Sequence, residues 1–318
     1  MKKALTTLVK VAVSGTIMFF LLRSVDTGKF WEMLRATSPA AIAASALIYT
    51  GLQCVTTYRW SVILGKDMTV PYPKLFSIYF IGMFFNNFLP TLVGGDVIKG
   101  YYLYKLTGRG GPALASIFMD RYSGFTALMF ITFLALFPGY PLIKGTGLAL
   151  FFALLLGGYV LVSLVLWTDR LHGRAMSVLA RIRFYGINEK IDKFYRVLMS
   201  YRSERAILAK VFAFSLIVQG GVIIGYYVLA RGMGMEVSLA HFFLYIPLTT
   251  AASMVPISLA GLGIREGVFV FLFTKAGASV EEALGLSLLW FAIMVAVSLI
   301  GGIEYIRLGA VKDVKLEN

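Results

Sequence analysis

Cysteine and histidine are nearly missing from this chain: Cys54 stands alone, and His172 and His241 lie far apart. A lone cysteine excludes an intramolecular disulfide, and two isolated histidines without ligand spacing leave no recognisable metal site, so no metal and no cofactor is expected. Charge is scarce as well. Only 14% of the residues are charged and 58% are hydrophobic, with a mean hydropathy of +0.80, against about a quarter charged in globular domains. Disorder and an ordinary soluble domain are both excluded. Acid is the scarcer sign, with 16 Asp and Glu against 30 Lys and Arg for a net charge of +14. In a soluble protein that balance suggests nucleic acid. Here no nucleic-acid fold pattern accompanies it, and cations gather in the inner loops of membrane proteins, so no nucleic-acid partner is expected. Nucleotide motifs are lacking too. There is no Walker A sequence, and Gly261-Leu262-Gly263-Ile264-Arg265-Glu266-Gly267 has one residue too many before its last glycine, with no βαβ context, to be a dinucleotide fingerprint.

What is present in quantity is apolar sequence in runs of about 20 residues, the length that crosses about 30 Å of hydrocarbon. Six spans are expected: residues 1–22, Pro39 to Leu64, Pro112 to Phe137, Leu142 to Trp167, Ile207 to Ala230 and Ala283 to Arg307. The first has the basic start of a signal peptide, yet Arg23-Ser24-Val25-Asp26 supplies no small-residue cleavage pattern, so it is read as an uncleaved helix. Two further runs are broken near their middles, Lys74 to Lys105 at residues 89–95 and His241 to Thr274 at residues 256–263. Each is long enough for a hairpin whose arms are short for a span. Two hairpins with tips inside the protein are the favoured reading, and two pairs of short full spans, giving eight helices, are the alternative.

The fold class is therefore an all-α polytopic membrane protein, with six full transmembrane helices and two broken helical hairpins, re-entrant or short-span. The order span, span, broken hairpin, span occurs in both 1–138 and 139–318 of a single transmembrane domain. The loop 168–206 carries nine Lys and Arg against four acids, which places it in the cytoplasm. Both termini then fall inside, so the halves run in opposite directions as an inverted repeat. Arg23, Lys29 and Arg35 land outside against the rule. Within the loop, Leu171, Ala175, Val178, Leu179 and Ile182, then Ile187, Ile191, Phe194, Tyr195 and Leu198, have helical spacing. They predict two short amphipathic helices, lying on anionic inner-leaflet lipids or packed under the bundle.

Charges within membrane depth are costly, roughly 2.5–3.5 kcal/mol each for Arg or Asp at a helix centre. Asp120, Arg121, Arg265 and Glu266 have this position. They are expected to face an interior cavity, with partners on other segments because i and i+1 side chains diverge on a helix. A cross-pair of Asp120 with Arg265, or of Glu266 with Arg121, is one arrangement, and a purely structural ion-pair knot is another. The first break adds Asn86, Asn87, Pro90, Gly94, Gly95, Asp96 and Lys99, whose amides, lysine and glycine-turn donors suit a phosphate. Asp96 after two glycines also suits a helix cap, and Lys99 suits snorkelling. Pro90, Pro256, Gly261 and Gly263 are candidate hinges. Tyr122, with Tyr101, Tyr102 and Tyr104, lines a lipid path or anchors at the interface. Gly221 and Gly225 permit close helix packing.

Asn87-Phe88-Leu89-Pro90 through Gly95-Asp96 and Lys99, then Asp120-Arg121, then Pro256 through Gly267, resemble the signatures of the lysylphosphatidylglycerol synthase transmembrane (flippase-like) family over nearly the whole chain. That family often has Glu where this chain has Asp120. In its two-part members the membrane region moves aminoacylated phosphatidylglycerol between leaflets while a soluble domain makes it. This chain is similar to the stand-alone members without the aminoacyltransferase domain. The resemblance implies a lipid translocase of a bacterial or archaeal cell membrane, not an enzyme, whose partner is a phospholipid or polyprenyl-phosphate-linked lipid. Substrate contacts are then expected from Asn86, Asn87, Gly94, Gly95, Asp96, Lys99, Asp120, Arg121, Tyr122, Arg265 and Glu266, with loss of transport on removing Arg121 or Arg265. A membrane-embedded lipid-modifying transferase, or a partner subunit of such an enzyme, is the alternative.

Overall fold

The computed structural model describes residues 2–88, 94–145, 147–180, 194–253 and 261–310. Those residues are helical throughout apart from short joints. In chain order the helices are α1 (Lys2–Arg23), α2 (Thr27–Ala36), α3 (Pro39–Leu64), α4 (Tyr72–Phe88), α5 (Gly94–Thr107), α6 (Gly110–Ile143), α7 (Leu148–Trp167), α8 (Asp169–Ala180), α9 (Arg205–Gly232), α10 (Leu239–Ser253), α11 (Ile264–Lys275) and α12 (Val280–Ala310). Residues 194–199 are also helical and lead into a 3-10 turn, Ser200–Ser203.

Five of the expected spans appear as α3, α6, α7, α9 and α12, each long and apolar enough to cross a membrane. The chain is a multi-pass membrane protein. α3 begins at the expected Pro39, where a missing N–H costs nothing in the first turn. α6 overruns its expected end at Phe137, continuing through Pro138 and Pro141 to Ile143. The joint falls instead after Ile143, and Gly147 opens α7 with φ +75°. α2 was not foreseen. It is a surface helix capped by Asp26, whose side chain accepts from the N–H groups of Gly28 and Lys29.

The two broken runs appear as the pairs α4–α5 and α10–α11, of 17 and 14 and of 15 and 12 residues. At about 1.5 Å per residue none of the four arms reaches across 30 Å of hydrocarbon. The arms of each pair pack on each other. Residues 89–93 and 254–260, with Pro90 and Pro256, lie outside the described residues, as does most of the second expected amphipathic helix.

α3 and α9 form the central crossing, which small residues make close. Leu52 lies over Gly221, while Gly225 faces the Trp290 ring and its carbonyl accepts from Ser45 Oγ at 3.2 Å. Around this pair α4 packs on α12, α10 on α6, and α6 and α12 on both central helices. α7 packs on α6 and α8 and otherwise leaves its apolar surface uncovered, which is how a helix facing lipid reads. Tyr201 of the 3-10 turn is buried beneath α3, with its hydroxyl donating to the Ile63 carbonyl at 3.3 Å. Burial pushes this phenol above its ordinary pKa, so it stays neutral beneath the Lys66 ammonium that sits 4.6 Å over its ring.

Candidate functional site

Four residues of α3, Tyr49, Gln53, Thr56 and Arg59, recur at helical spacing and turn one face inward. With Tyr79, Asn86 and Asn87 of α4, Lys99 of α5, Asp120 and Arg121 of α6, and Gln219 of α9, they line a polar cavity of about 380 Å³. Its depth follows from the helices. Asp120 lies ten residues into α6 and Ser215, beside it, ten residues into α9, or about 15 Å along each axis.

Arg59, which sequence reasoning missed, organises the inner wall. Its Nε and Nη2 donate to Asp120 Oδ1 at 3.0 and 2.7 Å, Nη2 also reaches the Asp120 carbonyl at 3.2 Å, and Nη1 donates to Ser215 Oγ at 2.9 Å. Both side chains are about 5% exposed, so this is a buried ion pair with hydrogen bonds on every nitrogen of the guanidinium. The signal was present but weak. Arg59 stands five residues before the end of its span at Leu64, where an arginine is ordinarily read as reaching back to the interface.

The outer wall is a triad on two helices. Asp96 Oδ2 accepts from Arg121 Nε at 2.8 Å, and Asp96 Oδ1 sits 2.8 Å from Lys99 Nζ, an ionic contact without good hydrogen-bond direction. Lys99 is buried between two rings, 4.9 Å from the Tyr79 centroid and 5.5 Å from that of Trp60. It does not snorkel. Asp96 is the third residue of α5, and its carboxylate serves these two cations. Arg121 differs from the other charges because its side chain is 50% exposed, and no described residue bonds its terminal Nη atoms. Asp120 and Arg121 thus find partners on other helices, as their divergence requires, although both partners lie in the first half of the chain. Three cations against two carboxylates leave the cavity one positive charge.

The hairpin glycines place this wall. The Gly95 N–H donates to Asn86 Oδ1 at 2.8 Å, and a Cβ on Gly95 would collide with the Gly82 carbonyl. Only glycine lets the arms meet so closely that Lys99 lies across Gly82.

Arg265 and Glu266 lie elsewhere. They pair with each other in the first turn of α11, and the Arg265 guanidinium stacks 4.5 Å from the Phe291 ring centroid. Glu266 is fully buried, and its Oε2 accepts from the Gly263 N–H at 2.7 Å. Adjacent residues thus pair here, against the expectation of partners on other segments. Gly261 and Gly263, at φ +83° and +84°, take the left-handed backbone that leads into α11. Tyr122 points away from the cavity. Its hydroxyl donates to Ser163 Oγ at 2.9 Å and accepts from Trp167 Nε1 at 2.8 Å, tying α6 to α7.

Residues 7–302 match the lysylphosphatidylglycerol synthase TM region family. The chain is similar to a UPF0104 membrane protein of Methanothermobacter thermautotrophicus, 24% identical with 93% of this chain and 91% of that one covered. A UPF0104 membrane protein of Pyrococcus horikoshii is 23% identical, with 93% and 96% covered. With a match over almost its entire length, this multi-pass helical chain belongs to the lysylphosphatidylglycerol synthase TM region family.

Proposed function

We propose that this protein is a lipid translocase that moves an anionic phospholipid or polyprenyl-phosphate-linked lipid between leaflets through the cavity between α3, α4 and α6. The observation that carries the reading is Arg121. It lines the cavity, is held at Nε by Asp96 with its side chain half exposed, and has both Nη groups unbonded among the described residues, open to a bidentate contact with a phosphate oxygen pair. The net single positive charge favours a monoanionic headgroup. Arg59 and Lys99 are consumed by their partners and set the wall rather than meet the lipid.

The same reading makes the two halves an inverted repeat with both termini in the cytoplasm and the hairpin tips inside the protein. The packing supports it through matched partnerships. α4 packs on α12 as α10 packs on α6, α5 on α6 as α11 on α12, and α3 on α4 as α9 on α10. Asp96 and Glu266 are each the third residue of a second hairpin arm. Transporters built from such repeats place substrate where interrupted helices meet near the midplane.

The test is leaflet sidedness of labelled phosphatidylglycerol in liposomes holding the purified full chain. Wild type should equilibrate the label, and Arg121→Ala should lose the activity at unchanged insertion. Transport by Arg121→Ala at the wild-type rate overturns the assignment. A change in lipid mass in place of sidedness would favour a transferase.

A further inference from the structure

A second basic cavity, unconnected with the residues above, sits where four helix ends meet: the end of α3, the start of α4, the end of α5 and the start of α6. Its volume is about 480 Å³, and Lys66, Asp67, Lys74 and Arg109 line it. Three cations against one carboxylate leave two positive charges, and no ion pair to a carboxylate within 4.0 Å involves Lys66, Lys74 or Arg109 among the described residues. Cations on a flat loop need no explanation in a membrane protein. These line a concavity that is held in shape, because Arg109 Nη1 donates to the Asp67 carbonyl at 2.6 Å and so clamps the α5–α6 joint onto the α3–α4 loop.

Next to it lies an apolar furrow of about 290 Å³, which shares Gly65 and residues 68–70 with the basic cavity and adds Tyr58, Ser61 and Tyr72. Tyr58 and Tyr72 are exposed, and the Tyr72 hydroxyl donates to the Cys54 carbonyl at 3.1 Å, fixing the furrow wall. The furrow follows the last turns of a 26-residue apolar helix, the depth at which acyl chains meet headgroups. A phosphate seat beside an apolar furrow is the shape of a phospholipid, and a free phosphate would leave the furrow unused.

We propose that this loop is a binding site for one anionic phospholipid, with the phosphate on Lys66, Lys74 and Arg109 and an acyl chain along Tyr58, Val70 and Tyr72. The site is separate from the translocation cavity and does not rest on it. The full chain in mild detergent is mixed with dioleoyl phosphatidylglycerol, and retained lipid is read by native mass spectrometry. Wild type should hold one tight copy, preferred over phosphatidylcholine. Lys66→Gln with Lys74→Gln, which keeps the Arg109 clamp, should weaken it about thirty-fold, the loss of two interfacial cations. Ser61→Trp, which fills the furrow from a residue that does not line the basic cavity, should weaken it too. Lys144→Gln, on the joint after α6 and outside both cavities, should leave it unchanged.

Undiminished binding in the lysine double variant at an unchanged unfolding midpoint overturns the site. Loss with Arg121→Ala alone would move the lipid to the translocation cavity and also overturn it. Displacement by glycerol-3-phosphate at the concentration that phosphatidylglycerol requires would reduce the furrow to a bystander and overturn the lipid assignment.

Discussion

Arg59 and Asp120 show what a charge inside a membrane bundle demands of its neighbours. Their pair is buried on both sides, and Ser215 takes the remaining guanidinium edge. Removing one partner strands the other, so Arg59→Ala or Asp120→Ala should destabilise the protein by about 3–5 kcal/mol, whereas Arg59→Met with Asp120→Leu should recover most of that loss. Thermal unfolding in detergent measures both, and equal midpoints for the single and double variants would refute the pairing. Arg121 is the contrasting case. When it is cut to alanine, the buried Asp96 loses one of its two cations and keeps Lys99, so the midpoint should fall by only about 1–2 kcal/mol equivalent while transport is lost. Half of this was legible in sequence. Asp120 and Arg121 announce themselves by depth, but which residue answers each is a matter of helix rotation, and hydropathy carries no information about rotation. The cross-pairs with Arg265 and Glu266 were equally consistent with the spacing and do not occur.

At the scale of elements, span positions were legible because a membrane imposes a length. α3 occupies its expected residues from Pro39 to Leu64, and α9 and α12 exceed theirs by two or three residues at each end. The hairpin arms were legible as shortness and punctuation. What was not legible is which glycines carry contact. Gly95 meets the Gly82 carbonyl and Gly301 meets the Phe80 carbonyl, holding α5 and α12 against α4, while Gly158 of α7 has nothing within 4 Å of where a Cβ would stand. These glycines look alike in sequence. Gly95→Ala and Gly301→Ala should each cost about 1–3 kcal/mol through overpacking against rigid backbone. Gly158→Ala should be neutral or stabilise by up to about 1 kcal/mol, the helix-propensity gain. A Gly301→Ala protein as stable as Gly158→Ala would mean that α4 and α12 are free to separate.

For the whole molecule the question is which ends lie on one side of the membrane. The α3–α4 loop and the α5–α6 joint share one cavity, and Tyr201 of the 3-10 turn packs beneath Lys66 at that same end. These three segments, two basic joints and the end of the basic loop 168–206, are thus neighbours in space. α2, whose Arg35 and Lys29 broke the rule, sits at the start of α12, where the Asp26 N–H donates to Glu281 Oε1 at 3.0 Å. Lys29 stands near Glu281 in an acidic first turn that also holds Glu282, which offsets it locally, and the rule weighs a bias rather than each residue. The orientation follows as an expected outcome. In a Cys54→Ser background, Lys144→Cys on the α6–α7 joint should react with a membrane-impermeant maleimide on intact cells, and Lys66→Cys only after permeabilisation. The opposite pattern would invert the protein in the membrane, and labelling of both from outside would break the assignment of α6 as a full span between them.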